Sequence, residues 1–301
     1  MGDTWSEGTG EAGAGLPGDR ATDGGEVLYH VAGGVARVTI NRPERRNAMS
    51  WDVVAGLRDA VSRARSDPAV RVLVLTGAGD RAFCAGADLA GMASPGPAPG
   101  TTPPPGAAPG TAAPGASFLG LHEARGGLAA LFQELWGLGK PTIARVRGYA
   151  LAGGFGLALA CDLVVAADDA VFGSPEIDVG LWPYMITVPL TRSMPPKKAL
   201  ELMLTGRRVG AEEAARIGFV TRVVPAGELD GEVDELAAAL AAKAPGVMRI
   251  GRDSFYEVWD QAAAPALAHL HALLTVTSET EDAREGIAAF AEKRQPRWTG
   301  R

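Results

Sequence analysis

An α/β fold is predicted by three features of the chain. Apolar runs of strand length alternate with helical segments in the first two thirds. Glycine-rich junctions stand where strand-like residues give way to helix-like ones. After about Pro195 the periodicity becomes helical throughout.

The elements follow in order. Residues 1 to about 25 are rich in Gly, Ala and acidic side chains without periodicity, and read as a disordered tail. Val27–Val31 and Val35–Ile40 alternate as strands joined at Gly33-Gly34. Ser50 is placed to cap a helix from Trp51 to about Ala64, with Val53, Val54, Leu57, Ala60 and Val61 on one face. Arg71–Thr76 (RVLVLT) reads as a buried strand, as do Thr142–Val146 and Leu163–Ala166. Helical patterns then cover Lys197–Leu204, Ala211–Ile217, Leu229–Lys243 and Gly246–Asp260, with two more reaching Lys293. Between Ala93 and Ser117 stand 8 prolines and 5 glycines and no charged residue. Such a stretch forms neither helix nor ladder. It is expected to be a mobile insert, dispensable for folding, because the motifs on either side complete each other. The predicted organisation is therefore a tail over 1–25, an α/β core over 26–195 with an insert at 93–117, and a helical region over 196–301.

The bulk composition excludes several classes. With 301 residues, 47% hydrophobic and 21% charged, the chain can bury a sizeable core. A net charge of −6 with scattered Lys and Arg gives no basic stripe for nucleic acid. Two cysteines, Cys84 and Cys161, are too few for a disulfide framework and point to a reducing cytoplasm. The acidic N-terminal residues lack the apolar run of a signal peptide. The longest apolar stretch, Gly148 to Cys161, is too short and too Gly-rich to span a bilayer. His30, His122, His269 and His271 show no metal-ligand spacing, so no metal is expected. No phosphate-binding glycine loop is present, so no nucleotide cofactor is expected from such a motif.

Three segments can carry chemistry together. In Arg81–Leu89 (RAFCAGADL) small residues let a ligand approach the main chain. In Gly148–Leu157 (GYALAGGFGL) Gly153-Gly154 open a helix, where free N–H groups favour developing negative charge. N–H groups from two such segments can form an oxyanion hole. In Phe172–Pro183 (FGSPEIDVGLWP) Glu176 would be desolvated among Phe172, Ile177, Val179, Leu181 and Trp182, which raises a carboxyl pKa toward proton-transfer use. Taken singly, each has a plain structural explanation: a Gly/Ala turn, a glycine pair for close packing, a surface glutamate.

In combination, and with ITINRPERRNAMS before them, these segments resemble the crotonase (enoyl-CoA hydratase/isomerase) family over about residues 26 to 295. The resemblance implies a spiral of strand-strand-helix units with a C-terminal helical region that forms trimers or hexamers. It places the oxyanion donors on the N–H groups of Ala87 and Gly153, and an acid/base on Glu176. It implies coenzyme A (CoA) as part of the substrate, with contacts to the CoA moiety from Arg45, Arg46, Ala85 and Leu89, and Asp88 flanking. Phe290 and Lys293, in FAEKR, would reach the CoA of a neighbouring subunit.

The sequence also departs from the family. Typical hydratases hold one water between two glutamates, and the position of the first is Gly156 here. One carboxylate suffices for a 1,3-proton shift, so the sequence leans toward isomerase-like enolate chemistry. Asp178 and Tyr184 are possible helpers, although structural roles are favoured for both. The alternatives are a degenerate acyl-CoA-binding protein, or another enolate reaction such as hydrolysis, decarboxylation or carbon–carbon bond formation.

Overall fold

The computed structural model describes residues 20–22, 25–88 and 118–301. The insert at 93–117, Leu89 and most of the N-terminal tail lie outside the described residues. One part of the tail departs from expectation: Arg20–Thr22 form strand β1, antiparallel to β2. The free edge of β2 offers unpaired backbone groups, and even a Gly-rich segment can satisfy them.

Two sheets make up the core. In the larger, β1 is followed by β2 (Val27–Ala32), β3 (Val35–Ile40), β4 (Val72–Gly77), β6 (Thr142–Val146), β8 (Leu163–Ala167) and β11 (Arg222–Val224). Gly33 and Gly34 turn the β2–β3 hairpin with φ of 57° and 80°, a two-residue turn that L side chains resist. From β3 onward every pairing is parallel. Parallel strands are covered on both faces, and here their alternation shows it. Leu73, Leu75, Ala144, Val146, Val164 and Ala166 point into the main core. Val72, Val74, Ile143, Val165 and Ala167 face α7 (Leu229–Ala241) through Leu229, Val233 and Ala237.

Helix α1 (Trp51–Ser66) begins where the Ser50 hydroxyl accepts the Val53 N–H at 3.1 Å. Its buried face is Val53, Val54, Leu57, Ala60, Val61 and Ala64. Helix α2 (Phe118–Trp136) packs on α1.

The second sheet is small, and its strand lengths explain why periodicity does not reveal it. Strands β5 (Ala82–Cys84), β7 (Tyr149–Leu151) and β9 (Val171–Gly173) run parallel. Strand β10 (Arg208–Gly210) closes it antiparallel to β9.

The helical region comprises α4 (Thr187–Ser193), α5 (Pro196–Thr205), α6 (Ala211–Ile217), α7, α8 (Pro245–Val258), α9 (Ala263–Ser278) and α10 (Glu281–Ala291). Helix α9 buries only Ala266. The last residues fold back as a strap. The buried Asp282 carboxylate accepts the N–H groups of Thr299 and Gly300, and the Trp298 indole donates to the Ala242 carbonyl. No helix among the described residues is long and apolar enough to cross a membrane.

Candidate active site

The small sheet explains how three segments distant in sequence meet. Ala85-Gly86-Ala87 follow β5, Ala152-Gly153 follow β7, and Ser174–Glu176 follow β9. All three leave the carboxyl ends of adjacent parallel strands, where the crevice of an α/β sheet receives ligands.

The first turn is held by main-chain bonds. Met49 N–H donates to the Gly86 carbonyl at 2.8 Å, and Asp88 N–H donates to the Met49 carbonyl at 2.9 Å. Met49 and Ala87 thus form a parallel bridge. Alternation along that bridge turns the Ala87 N–H away from Met49. Gly86 has φ of 99°, and a Cβ there would lie 2.7 Å from the Ala152 Cβ and 3.6 Å from the Gly153 nitrogen. Glycine is therefore what lets this turn rest against the start of α3 (Gly153–Leu159).

The second turn is conformationally strained. Ala152 takes φ 51° and ψ −129°, a region that non-glycine residues avoid, and its N–H donates to the Gly173 carbonyl at 2.9 Å. This aims the start of α3 beside Gly86. A Cβ on Gly153 would meet the Met49 Cε at 2.7 Å, and one on Gly154 would meet the Cys84 carbonyl at 2.2 Å. Neither the Ala87 nor the Gly153 N–H donates a hydrogen bond to another described residue.

The third segment is a 3-10 turn, Pro175–Val179, ended by Gly180 at φ 75°. Glu176 sits half-buried on it, and the buried Ser174 hydroxyl donates to its Oε2 at 2.9 Å. Burial pushes the Glu176 carboxyl above its ordinary value, against smaller opposing effects of its backbone and Ser174 hydrogen bonds. The apolar surroundings differ from expectation. Phe172 is buried and Trp182 packs against the core, but Ile177, Val179 and Leu181 are exposed. A 3-10 turn points successive side chains around its axis, so it cannot bury them all.

Gly156 lies inside α3, fully enclosed. A Cβ there would stand 2.3 Å from the Ile186 Cγ2 and 3.1 Å from the Phe132 Cζ. No side chain fits at this position unless Ile186 moves.

Around the turns, the sequence motif resolves into separate tasks. Arg42 lies half-buried at the centre. Its guanidinium donates to the Ala48 carbonyl at 2.7 Å and pairs with Asp88 at 3.0 Å and Glu26 at 2.8 Å. Asn47, fully buried at φ 55°, donates to the carbonyls of Ala78 and Ala82 at 2.9 and 2.6 Å and accepts the Arg42 N–H.

Arg45 and Arg46 are exposed on the same loop, and Ala85 N–H donates to the Arg46 carbonyl at 3.1 Å. Asp88, expected only to flank the ligand, has its carboxylate engaged by Arg42. Asp178 faces Gly206, at the end of α5. Tyr184 is 71% exposed, so it does not pack inside this chain. Cys84 is buried, and desolvation pushes its thiol up to about 12, which fits an inert packing role. Phe290, 88% exposed, and Lys293 lie at the end of α10, which packs on α8 and α9, so this chain does not bring them to its own Glu176. Arg42, Asn47 and Ser174 are the residues that one-dimensional reasoning missed. A cavity of about 400 Å³ lies elsewhere, at the far end of α3 between Trp136, Arg252 and Tyr256. Its charged groups are paired: Arg252 bonds Asp162, as Tyr256 does, and Arg192 pairs with Asp260.

The match to a family model decides what this arrangement belongs to. Residues 30–107 and 121–301 match the model described as enoyl-CoA hydratase/isomerase. The chain belongs to the enoyl-CoA hydratase/isomerase family, within the crotonase superfamily. An (E)-benzylidenesuccinyl-CoA hydratase of Thauera aromatica is 36% identical over 276 residues, covering 91% of this chain and 99% of that protein. A carnitinyl-CoA dehydratase of Proteus mirabilis is 37% identical over 278 residues, covering 89% and 96%. Among solved structures, an enoyl-CoA hydratase of Mycobacterium smegmatis superposes with a TM-score of 0.80 at 32% identity, covering 91% of this chain and 99% of that one. One from Bacillus anthracis gives 0.81 at 29% identity, covering 92% and 100%. The relatives named here are hydratases and a dehydratase, so an acyl-CoA enzyme of this type is the level at which the family speaks.

Proposed function

We propose that this member of the family moves a proton between the α- and γ-carbons of an enoyl-CoA thioester, with Glu176 as its one acid/base. Two observations carry the reading: no side chain fits at Gly156, and Glu176 is half-buried with its carboxyl pushed above its ordinary value. Hydration needs a base for the water and an acid for the α-carbon. A 1,3-shift needs one group that takes a proton and returns it. In this reading the N–H groups of Ala87 and Gly153 hold the thioester oxygen while it carries the negative charge of the enolate. Arg45, Arg46 and Ala85 contact the CoA moiety, and Phe290 and Lys293 reach it from a neighbouring chain of a trimer or hexamer.

The deciding experiment offers the protein 2-enoyl-CoA and 3-enoyl-CoA esters and weighs the product by mass spectrometry. Unchanged mass with a moved double bond is the expected result. A gain of one water would replace this reading by hydration. Glu176→Gln is expected to reduce the rate by ~10²–10⁴-fold while ester binding survives. The unoccupied acid position at Gly156 also favours a second reading, an acyl-CoA-binding protein without turnover. Binding of both esters with no product from either would establish it.

A further inference from the structure

We propose that Ser174 is a positioning residue: its hydroxyl holds one carboxylate oxygen of Glu176, so that the other oxygen carries the proton both off the α-carbon and onto the γ-carbon. This rests on the single-glutamate reading above. Ser174 is fully buried between β9 and the 3-10 turn, and its hydroxyl meets Oε2 at 2.9 Å. Oε1 has no side-chain partner among the described residues. No charged side chain among them pairs with this carboxylate. Asp178, on the same turn, faces Gly206. From α5, which packs against the turn, Lys198 pairs with Glu201, and Arg207 just beyond pairs with Glu201 and Glu213.

A carboxylate free to rotate would present either oxygen, and a proton on the outward oxygen would exchange with water. With Oε2 held, one oxygen does all the work. Oε1 takes the α-proton, and the C–H electron pair enters a dienolate whose charge rests on the thioester oxygen. The pair then returns through the γ-carbon to the same proton, and the carboxylate is restored. The proton stays on one face of the substrate and is passed on before it exchanges.

The test reads the carboxyl directly and does not depend on turnover. The full chain is labelled with ¹³C at glutamate side-chain carboxyls and titrated by NMR, with Glu176→Gln assigning the resonance. A hydrogen bond to the ionised form lowers a carboxyl pKa, so Ser174→Ala is expected to raise that of Glu176 by about one unit, a tenfold smaller ionised fraction at acidic pH. Ser174→Thr keeps the wild-type value. Ser174→Cys, a weaker donor of similar volume, gives an intermediate value and covers the case in which the Ala variant fails to fold. An unshifted titration in Ser174→Ala, or in Ser174→Cys if the Ala variant does not fold, would overturn the proposal. In the kinetic arm, a 3-enoyl ester carrying deuterium at the α-carbon should deliver the label to the γ-carbon in the wild type and lose more of it to water in the variant. Equal label transfer in both also overturns it. If the wild type isomerises nothing, the single-glutamate reading fails, and the titration still decides whether Ser174 holds Glu176.

Discussion

At the scale of single residues, the decisive position is one with no side chain. Gly156 is closed by Ile186, so even a methyl group there must displace a packed neighbour. Gly156→Ala is expected to cost ~1–3 kcal/mol, the usual range for overpacking a dense core, measured by chemical denaturation. Ile186→Ala should recover part of that loss in a double-mutant cycle, and additive costs would show that the two positions do not touch. Glu176 makes a prediction of opposite sign. Its folded pKa is raised, so the ionised form is penalised by folding. Its stability contribution is fully present below the unfolded pKa and is lost as pH rises through the folded one. Glu176→Gln should therefore raise the melting temperature at neutral pH and leave it nearly unchanged at pH 4. Under the proposed mechanism, in which the ionised form takes the proton, the acid limb of the rate profile should lie above the ordinary glutamate value.

At the scale of elements, the loop before α1 shows how one motif divides its work. Three arginines stand close together, and only Arg42 turns inward, binding Glu26, Ala48 and Asp88. Arg46 and Asn47 both take left-handed backbone, which reverses the chain and sends Asn47 inside while Arg45 and Arg46 stay outside. Nothing in the order of residues states which arginine does which, because the choice depends on those two backbone angles. Arg42→Met removes the pairs to Asp88 and Glu26 and the bond to the Ala48 carbonyl at once, so a loss above ~1 kcal/mol is expected. Arg45→Ala should stay within ~0.5 kcal/mol on the same measurement. If the two variants were equally mild, the brace would contribute nothing. The second sheet belongs to this scale as well. Its strands of three residues are too short for a period of two to register, so β5, β7, β9 and β10 were illegible, whereas α1 and β4 announced themselves by length and pattern.

At the scale of the whole molecule, the C-terminal region is unevenly covered. Leu267 and Leu274 on α9 are each 66% exposed, Ile287 and Phe290 on α10 more so. Exposed apolar side chains grouped on two packed helices are the kind of surface that a partner covers. Under the proposed assembly, sedimentation should give a mass of three or six chains, and Leu267→Glu with Leu274→Glu should shift it toward one. A wild-type monomer would remove the neighbouring-subunit role proposed for Phe290 and Lys293. The strap past α10 is a separate matter. Truncation after Arg297 removes the N–H groups that satisfy the buried Asp282 carboxylate. A loss of ~1–3 kcal/mol is expected, or more for a charged group left unpaired.

What the sequence determined by itself is the set of parts: the strand-helix alternation, the Ser50 cap, the Gly33-Gly34 hairpin, the glycines that open α3, and a glutamate at 176 just after Pro175. These are local properties, set by side-chain volume, hydrogen-bonding groups and backbone freedom within a few residues. The tertiary structure alone decided how the parts meet. Parallel pairing of β5, β7 and β9 brings three turns to the same end of one sheet from positions 85, 153 and 176. Ile186, thirty residues from Gly156, closes the space that any side chain at Gly156 would need. Such pairings are fixed by packing density and by the need to satisfy buried backbone groups across the whole core, and neither is written in the spacing of residues along the chain.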